Sequence, residues 1–128
     1  MRHPPAVTVV REFWRLMAGN DFDAVAAVLA PSFVLEWPQS KERIRGAERF
    51  ARMNRDYVAH GPWQFAIRRL VGQGGEAVSE VDIGDGVQNA TAISFFSVED
   101  GKIVRLVEYW PEAFAARADR AHLVESMP

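Results

Sequence analysis

The chain has 128 residues, 48% of them apolar, with 15 basic and 17 acidic side chains and a formal net charge of −2. This length fits one core, and a balance this even offers no electrostatic footprint for a nucleic acid, so none is expected as a partner. The absence of cysteine excludes a disulfide framework and thiolate metal sites; no run approaches the ~20 apolar residues of a membrane span, and Met1-Arg2-His3-Pro4-Pro5 leads into too polar a segment for a signal peptide, so a cytoplasmic protein without membrane contact is expected.

The first half of the chain reads as helical. Val7, Val10, Phe13, Trp14 and Met17 recur at helix spacing and Gly19-Asn20 is a stop signal. Asp21 is placed to cap a second, shorter helix carrying Phe22, Val25, Val28 and Leu29, which Pro31 ends. Ser32 to Trp37 reads as a short strand and Pro38 to Arg45 as a polar loop. From Gly46, the residues Phe50, Met53, Tyr57 and Val58 predict a third helix, closed by His60-Gly61-Pro62.

The second half changes to a period of two. Strands are expected over Gln64 to Val71, Ala77 to Ile83, Val87 to Val98 and Lys102 to Trp110, with turns at Gly72 to Gly75, Asp85-Gly86 and Asp100-Gly101. Pro111 stops the last strand, and Glu112 to Met127 is a polar, alanine-rich tail with partial helical character. Helices first and hairpin-linked strands afterwards mean α+β. The expectation is a cone-shaped, curved antiparallel sheet wrapped around the N-terminal helices, with one internal pocket where the bent sheet stands away from them. A single domain is expected over residues 1–128, with a core at about 7–114 and a tail at 115–128.

Four short pieces give this order a family. Gly19-Asn20-Asp21-Phe22-Asp23-Ala24, Trp37-Pro38, Arg45-Gly46 and Gly101-Lys102-Ile103 with Glu108-Tyr109-Trp110 resemble the nuclear transport factor 2-like superfamily, and within it the SnoaL-like group. The resemblance implies a cone-shaped domain, commonly a homodimer joined through sheet faces, and enzymes that mostly use no cofactor. Because this fold hosts many reactions, each must be tested on the residues. Where ketosteroid isomerase carries its tyrosine, its base aspartate and its protonated acid, this chain has Phe13, Trp37 and a position near Ile93. None of these can act as oxyanion donor or base in that way. Compared with limonene epoxide hydrolase, Glu108 stands where the water-activating aspartate lies, and Glu80-Val81-Asp82 replaces Arg-x-Asp. SnoaL-like cyclases pair a last-strand acid with a histidine; Glu108 supplies the acid, but none of His3, His60 and His122 falls on a strand.

With that alignment, strand parity turns Glu80, Asp82 and Glu108 towards the helices, with Asn89, Thr91, Ile93 and Phe95 on the same side and Phe13, Met17, Met53 and Tyr57 above. Asp82 and Glu108 are then the candidate catalytic acid and base. Phe13, Met17, Trp37, Met53, Tyr57, Glu80, Asn89, Thr91, Ile93 and Trp110 are the candidate substrate contacts. Carboxylates crowded in an apolar hollow raise each other's pKa, which suits acid–base chemistry; a cation between Trp37 and Trp110 would relieve the charge equally. The plainer alternatives are that Glu80 and Asp82 lie on a solvated face and that Glu108 pairs with an arginine. Ser79, Val81 and Ile83 would form the opposite face, a patch for homodimer formation. No spacing matches a metal motif, so no metal is expected. Two functions stand: a cofactor-independent acid–base enzyme (isomerase, cyclase, hydratase or hydrolase type) on a small, largely apolar molecule, or a non-catalytic ligand-binding or dimerisation scaffold.

Overall fold

A computed structural model describes residues 3–128. Helix α1, Ala6–Ala18, buries Val9, Val10, Phe13, Trp14 and Met17, one stripe at helix spacing. Its stop is Asn20, which adopts φ 58°, a conformation asparagine tolerates better than most residues. Phe22–Val28 winds as a 3-10 helix rather than the capped helix expected, and Asp21 makes no capping bond. Strand β1, Leu29–Trp37, starts earlier than Ser32 and carries Pro31 inside it. The proline is tolerated because the pairing with the last strand slips between Leu29 and Val34, where no ladder donor is demanded.

The segment expected as a polar loop contains strand β2, Glu42–Arg45, which turns back on β1 and pairs with it antiparallel. Helix α2, Ala47–Asp56, follows Gly46 at φ 87° and buries Phe50 and Ala51; Tyr57 and Val58 lie beyond its end. The meander then runs as β3 (Gln64–Gln73), β4 (Glu76–Gly84), β5 (Asn89–Glu99) and β6 (Lys102–Tyr109). A short 3-10 turn at Ala118–Arg120 is the only helical part of the tail.

Six strands form one curved, unclosed sheet in the order β2-β1-β6-β5-β4-β3. The meander is antiparallel as expected, but β1 lies parallel to β6, so the sheet is mixed rather than antiparallel throughout. Helix α1 lies in the hollow of the sheet against β3, β4, β5 and β6. There the Phe13 ring meets Trp14 at 4.9 Å, Phe96 at 5.3 Å and Phe50 at 5.9 Å.

The side of β4 that faces this core reverses the expectation. Ala77, Ser79 and Val81 are buried inside, and Val78, Glu80 and Asp82 point outward. Small and apolar side chains fit beneath α1; two carboxylates there would lose their water without a cation to replace it. Outside, they find partners. A bulge in β3 between Ile67 and Arg69 exposes two consecutive arginines. Arg69 Nε lies 2.8 Å from Glu80 and Arg68 Nε 3.6 Å from Asp82. The expected association patch of Ser79, Val81 and Ile83 therefore belongs to the interior side of the sheet.

Ser79 is fully buried, and its hydroxyl accepts a 3.0 Å bond from the Trp14 indole Nε1. Asp85 shapes the β4–β5 turn. Its carboxylate accepts the backbone N–H groups of His60 (2.8 Å), Val87 (2.9 Å) and Gln88 (2.6 Å), while Gly86 takes φ 94°. Burial pushes the Asp85 carboxyl up, but these amides and the Gln88 side chain outweigh it and hold the group well below the usual carboxylate range.

Two outcomes follow from these contacts. Trp14→Phe leaves the Ser79 hydroxyl buried without a donor and should cost roughly 1–3 kcal/mol in urea denaturation; adding Ser79→Ala should recover part of that loss in a double-mutant cycle. The depressed Asp85 pKa contributes stability that is complete above the unfolded value and fades as pH falls towards the folded one. Asp85→Asn should therefore lower the urea midpoint at about pH 7, and the gap to the parent protein should shrink at about pH 3.

Candidate functional site

Between the two helices and the inner side of the sheet lies a cavity of about 800 Å³. Phe13, Trp14 and Met17 of α1 form one wall, and Phe50, Met53, Asn54 and Tyr57 at α2 form another. Trp37 at the end of β1, Trp63 and Phe65 at the start of β3, and Ile83 and Ala90 at the far ends of β4 and β5 complete the apolar lining. Gln39, Ser40, Glu42, Gln88, Asn89, Trp110 and Glu112 also line it. A second hollow of about 680 Å³ runs along the outer side of α1 beside Phe65 and Ile67. Its polar members, among them Arg11, Glu12 and Arg15, are largely solvent-exposed, so it is a surface groove.

Glu108 of β6 is the acidic group at the floor of the main cavity, with 6% of its surface exposed. Cross-strand register places it directly opposite Ser94, which in turn lies opposite Ser79. These three residues form a polar row across the inner side of β6, β5 and β4. The Ser94 hydroxyl donates to Glu108 Oε2 at 2.9 Å, and the Trp37 indole donates to Oε1 at 3.2 Å. Among the described residues the carboxyl has no arginine partner. Burial pushes its pKa up; the bonds from Trp37 and Ser94, with the Trp110 indole, offset this only in part. The group therefore favours its neutral form more than a surface glutamate does, and with three donors on it about one of its roughly four lone-pair positions is left for a molecule above it.

Of the residues singled out from the sequence, Glu108, Phe13, Met17, Trp37, Met53, Tyr57 and Trp110 come together around this cavity, and Asn89 sits at its rim. Asp82, Glu80, Thr91 and Ile93 do not. Asp82 faces Thr91 and Glu80 faces Ile93 across the ladder, and all four share the outer side of the sheet. There Thr91 Oγ1 donates to Asp82 Oδ1 at 3.0 Å. Phe95 is on that side too, edge-on to Tyr109 at 6.0 Å. The pairing of Asp82 with Glu108 in one hollow is thus corrected: the sheet lies between them.

Sequence reasoning missed Ser94, Trp63 and Gln88. Trp63 is fixed through its backbone: its N–H donates to Asn20 Oδ1 at 2.7 Å and its carbonyl accepts from Asn20 Nδ2 at 2.8 Å. Ser79 and Ser94, serines at alternating positions in otherwise apolar strands, were the available signal for the inner side. Among the described residues, no three His, Cys, Asp or Glu side chains gather as a metal-binding group.

An α+β cone with a single curved sheet and a cavity under its helices defines the ketosteroid isomerase-like and nuclear transport factor 2-like class of folds. Within it, residues 10–106 match the SnoaL-like domain, and the chain belongs to that family. A crystal structure from Kribbella flavida DSM 17836, described as a candidate ketosteroid isomerase, is similar at 32% identity and a TM-score of 0.86, covering 96% of this chain and 90% of that one. An NTF-2 like protein of unknown function from Burkholderia xenovorans LB400 has 25% identity, a TM-score of 0.76 and 94% coverage of both chains. An LEH-like epoxide hydrolase from M. tuberculosis has 26% identity and a TM-score of 0.67, with 83% of this chain and 82% of that one covered. No curated protein matches the sequence. No helix among the described residues is long and apolar enough to cross a membrane.

The raised Glu108 pKa sets the sign of a pH effect. Its neutral form is favoured in the folded state, so its contribution is fully present below the unfolded value of about 4.3 and is lost as pH rises through the folded value. Glu108→Gln should remove that part of the decline when urea midpoints are compared from acid to neutral pH.

Proposed function

We propose that this protein binds a small, largely apolar molecule in the cavity and that Glu108 exchanges a proton with it. One observation carries this reading: a buried carboxyl of raised pKa, with no cationic partner among the described residues, at the floor of a hollow walled largely by aromatic and aliphatic side chains. Desolvation makes such a carboxylate a stronger base than a surface glutamate, which suits it to taking up and returning a proton. The Trp37 and Ser94 bonds hold it in one rotamer, which spares the reaction an orientation cost. Cofactor-independent isomerisation fits best. One carboxylate can remove a proton from carbon and return it nearby, and that step needs no second acid from Asp82. Activation of a water molecule for hydrolysis is the other use of the same group, in line with the likeness to the LEH-like epoxide hydrolase.

A second reading has its own support. With Asp82 outside, Glu108 is left without a second acid at the floor of the cavity, as suits a pocket that holds a ligand without converting it. Incubation with a panel of small unsaturated ketones in deuterium oxide separates the two. Mass spectrometry should show deuterium entering beside the carbonyl, with the rate roughly 10²–10⁴-fold lower in Glu108→Gln. Equal rates in both proteins would remove Glu108 from catalysis. Saturable chemical-shift changes without exchange would establish the binding-only reading.

A further inference from the structure

The charges around the cavity are one-sided. Glu42, Glu108 and Glu112 line it, and among the described residues no lysine, arginine or histidine does. Five arginines are engaged elsewhere: Arg43 and Arg105 clasp Glu36, Arg68 and Arg69 serve Asp82 and Glu80, and Arg55 holds Asp23. The same hollow is walled by aromatic side chains, including Trp37, Trp63, Trp110 and Tyr57. Ring faces carry negative potential and attract a cation, most strongly where water is excluded. An anionic ligand would meet like charge with no basic side chain to receive it. A neutral ligand would leave the buried carboxyl as it is.

We propose that the ligand of this cavity is an organic cation: an apolar body bearing a protonated amine or quaternary ammonium, its charged end seated against Glu108 and the tryptophan faces. This rests on the reading of the cavity as a ligand site and narrows it to one chemical class. The cationic end takes the place of the arginine that Glu108 lacks, and the apolar end fills the space beside Phe13, Met17 and Phe50. Binding should also draw Glu108 into its charged form. Glu42, Tyr57 and Glu112 are the other titratable side chains lining the cavity; Ser94 and Trp37, which touch Glu108 directly, do not titrate in this range.

The test compares benzyltrimethylammonium with neopentylbenzene, its uncharged carbon isostere, by calorimetry and chemical-shift titration on the intact protein. The ammonium should bind roughly tenfold or more tightly than the isostere at about pH 8. That preference should shrink as the pH is lowered through the titration of Glu108, with proton release accompanying ammonium binding. Glu108→Gln should lose most of the preference while keeping the isostere's affinity. Trp110→Leu, at the partly exposed end of β6, should weaken the ammonium selectively and serves as a second variant if the first is poorly folded. An isostere that binds as well as the ammonium would overturn the cation while leaving the ligand cavity standing. Failure of both probes to bind would overturn both.

Discussion

A row of three polar residues crosses the interior of the sheet, and the rest of the molecule is arranged to satisfy it. Ser79, Ser94 and Glu108 lie side by side on β4, β5 and β6, each nearly or wholly removed from water. An unpaired polar group at such a depth costs several times what a satisfied one contributes. Two tryptophans meet the need from opposite sides: Trp14 reaches down from α1 to Ser79, and Trp37 reaches across from β1 to Glu108. Among the described residues no buried side-chain nitrogen or oxygen lacks a partner. A one-residue slip of any of these strands would turn its member of the row outward and strand the opposing indole or hydroxyl. The polar row thus ties strand register, the seat of α1 and the floor of the cavity to a single set of bonds.

Charge is sorted by the same sheet. On the outer side Glu80 and Asp82 are each met by an arginine, because the bulge in β3 lets two neighbouring arginines serve one acidic strand. Glu36 takes two arginines at once, which lower its pKa. Glu108, one position from the end of β6, receives only neutral donors and shifts the opposite way. One residue type thus shows opposite behaviour on the two sides of one sheet, and environment alone explains it.

Most of the architecture was legible in the residue pattern because it rests on periodicity. The helical stripe from Val9 to Met17, the four meander strands and the Asp85-Gly86 turn each carry a local signal. Strand β2 carried none: Glu42-Arg43-Ile44-Arg45 is polar and exposed, and it is a strand because β1 offers it an edge. The parallel pairing of β1 with β6 is likewise non-local. For the cavity, residues that were apolar or aromatic were placed well, since burial alone decides them. The inner side of β4 was misjudged because Glu80 and Asp82 alternate with Ser79 and Val81 in a way that satisfies either parity. What breaks the tie is Arg68-Arg69, a strand away, and their effect depends on a bulge that local pattern does not reveal.

Two polar side chains anchor the backbone beside the cavity residues Trp63 and Gln88. Asp85 and Asn20 bind it through main-chain atoms: Asp85 gathers the amides of His60, Val87 and Gln88, and Asn20 clasps both polar groups of the Trp63 peptide. Any amino acid except proline supplies the same N–H. Positions 60 and 87, which do not line the cavity, can therefore drift in side chain while the backbone beside it keeps its course, and a change at position 63 reshapes the wall on an unchanged main chain. A wall built in this way can acquire new selectivity by single substitutions without first unmaking its frame, which is one physical route by which related chains come to accept unrelated molecules.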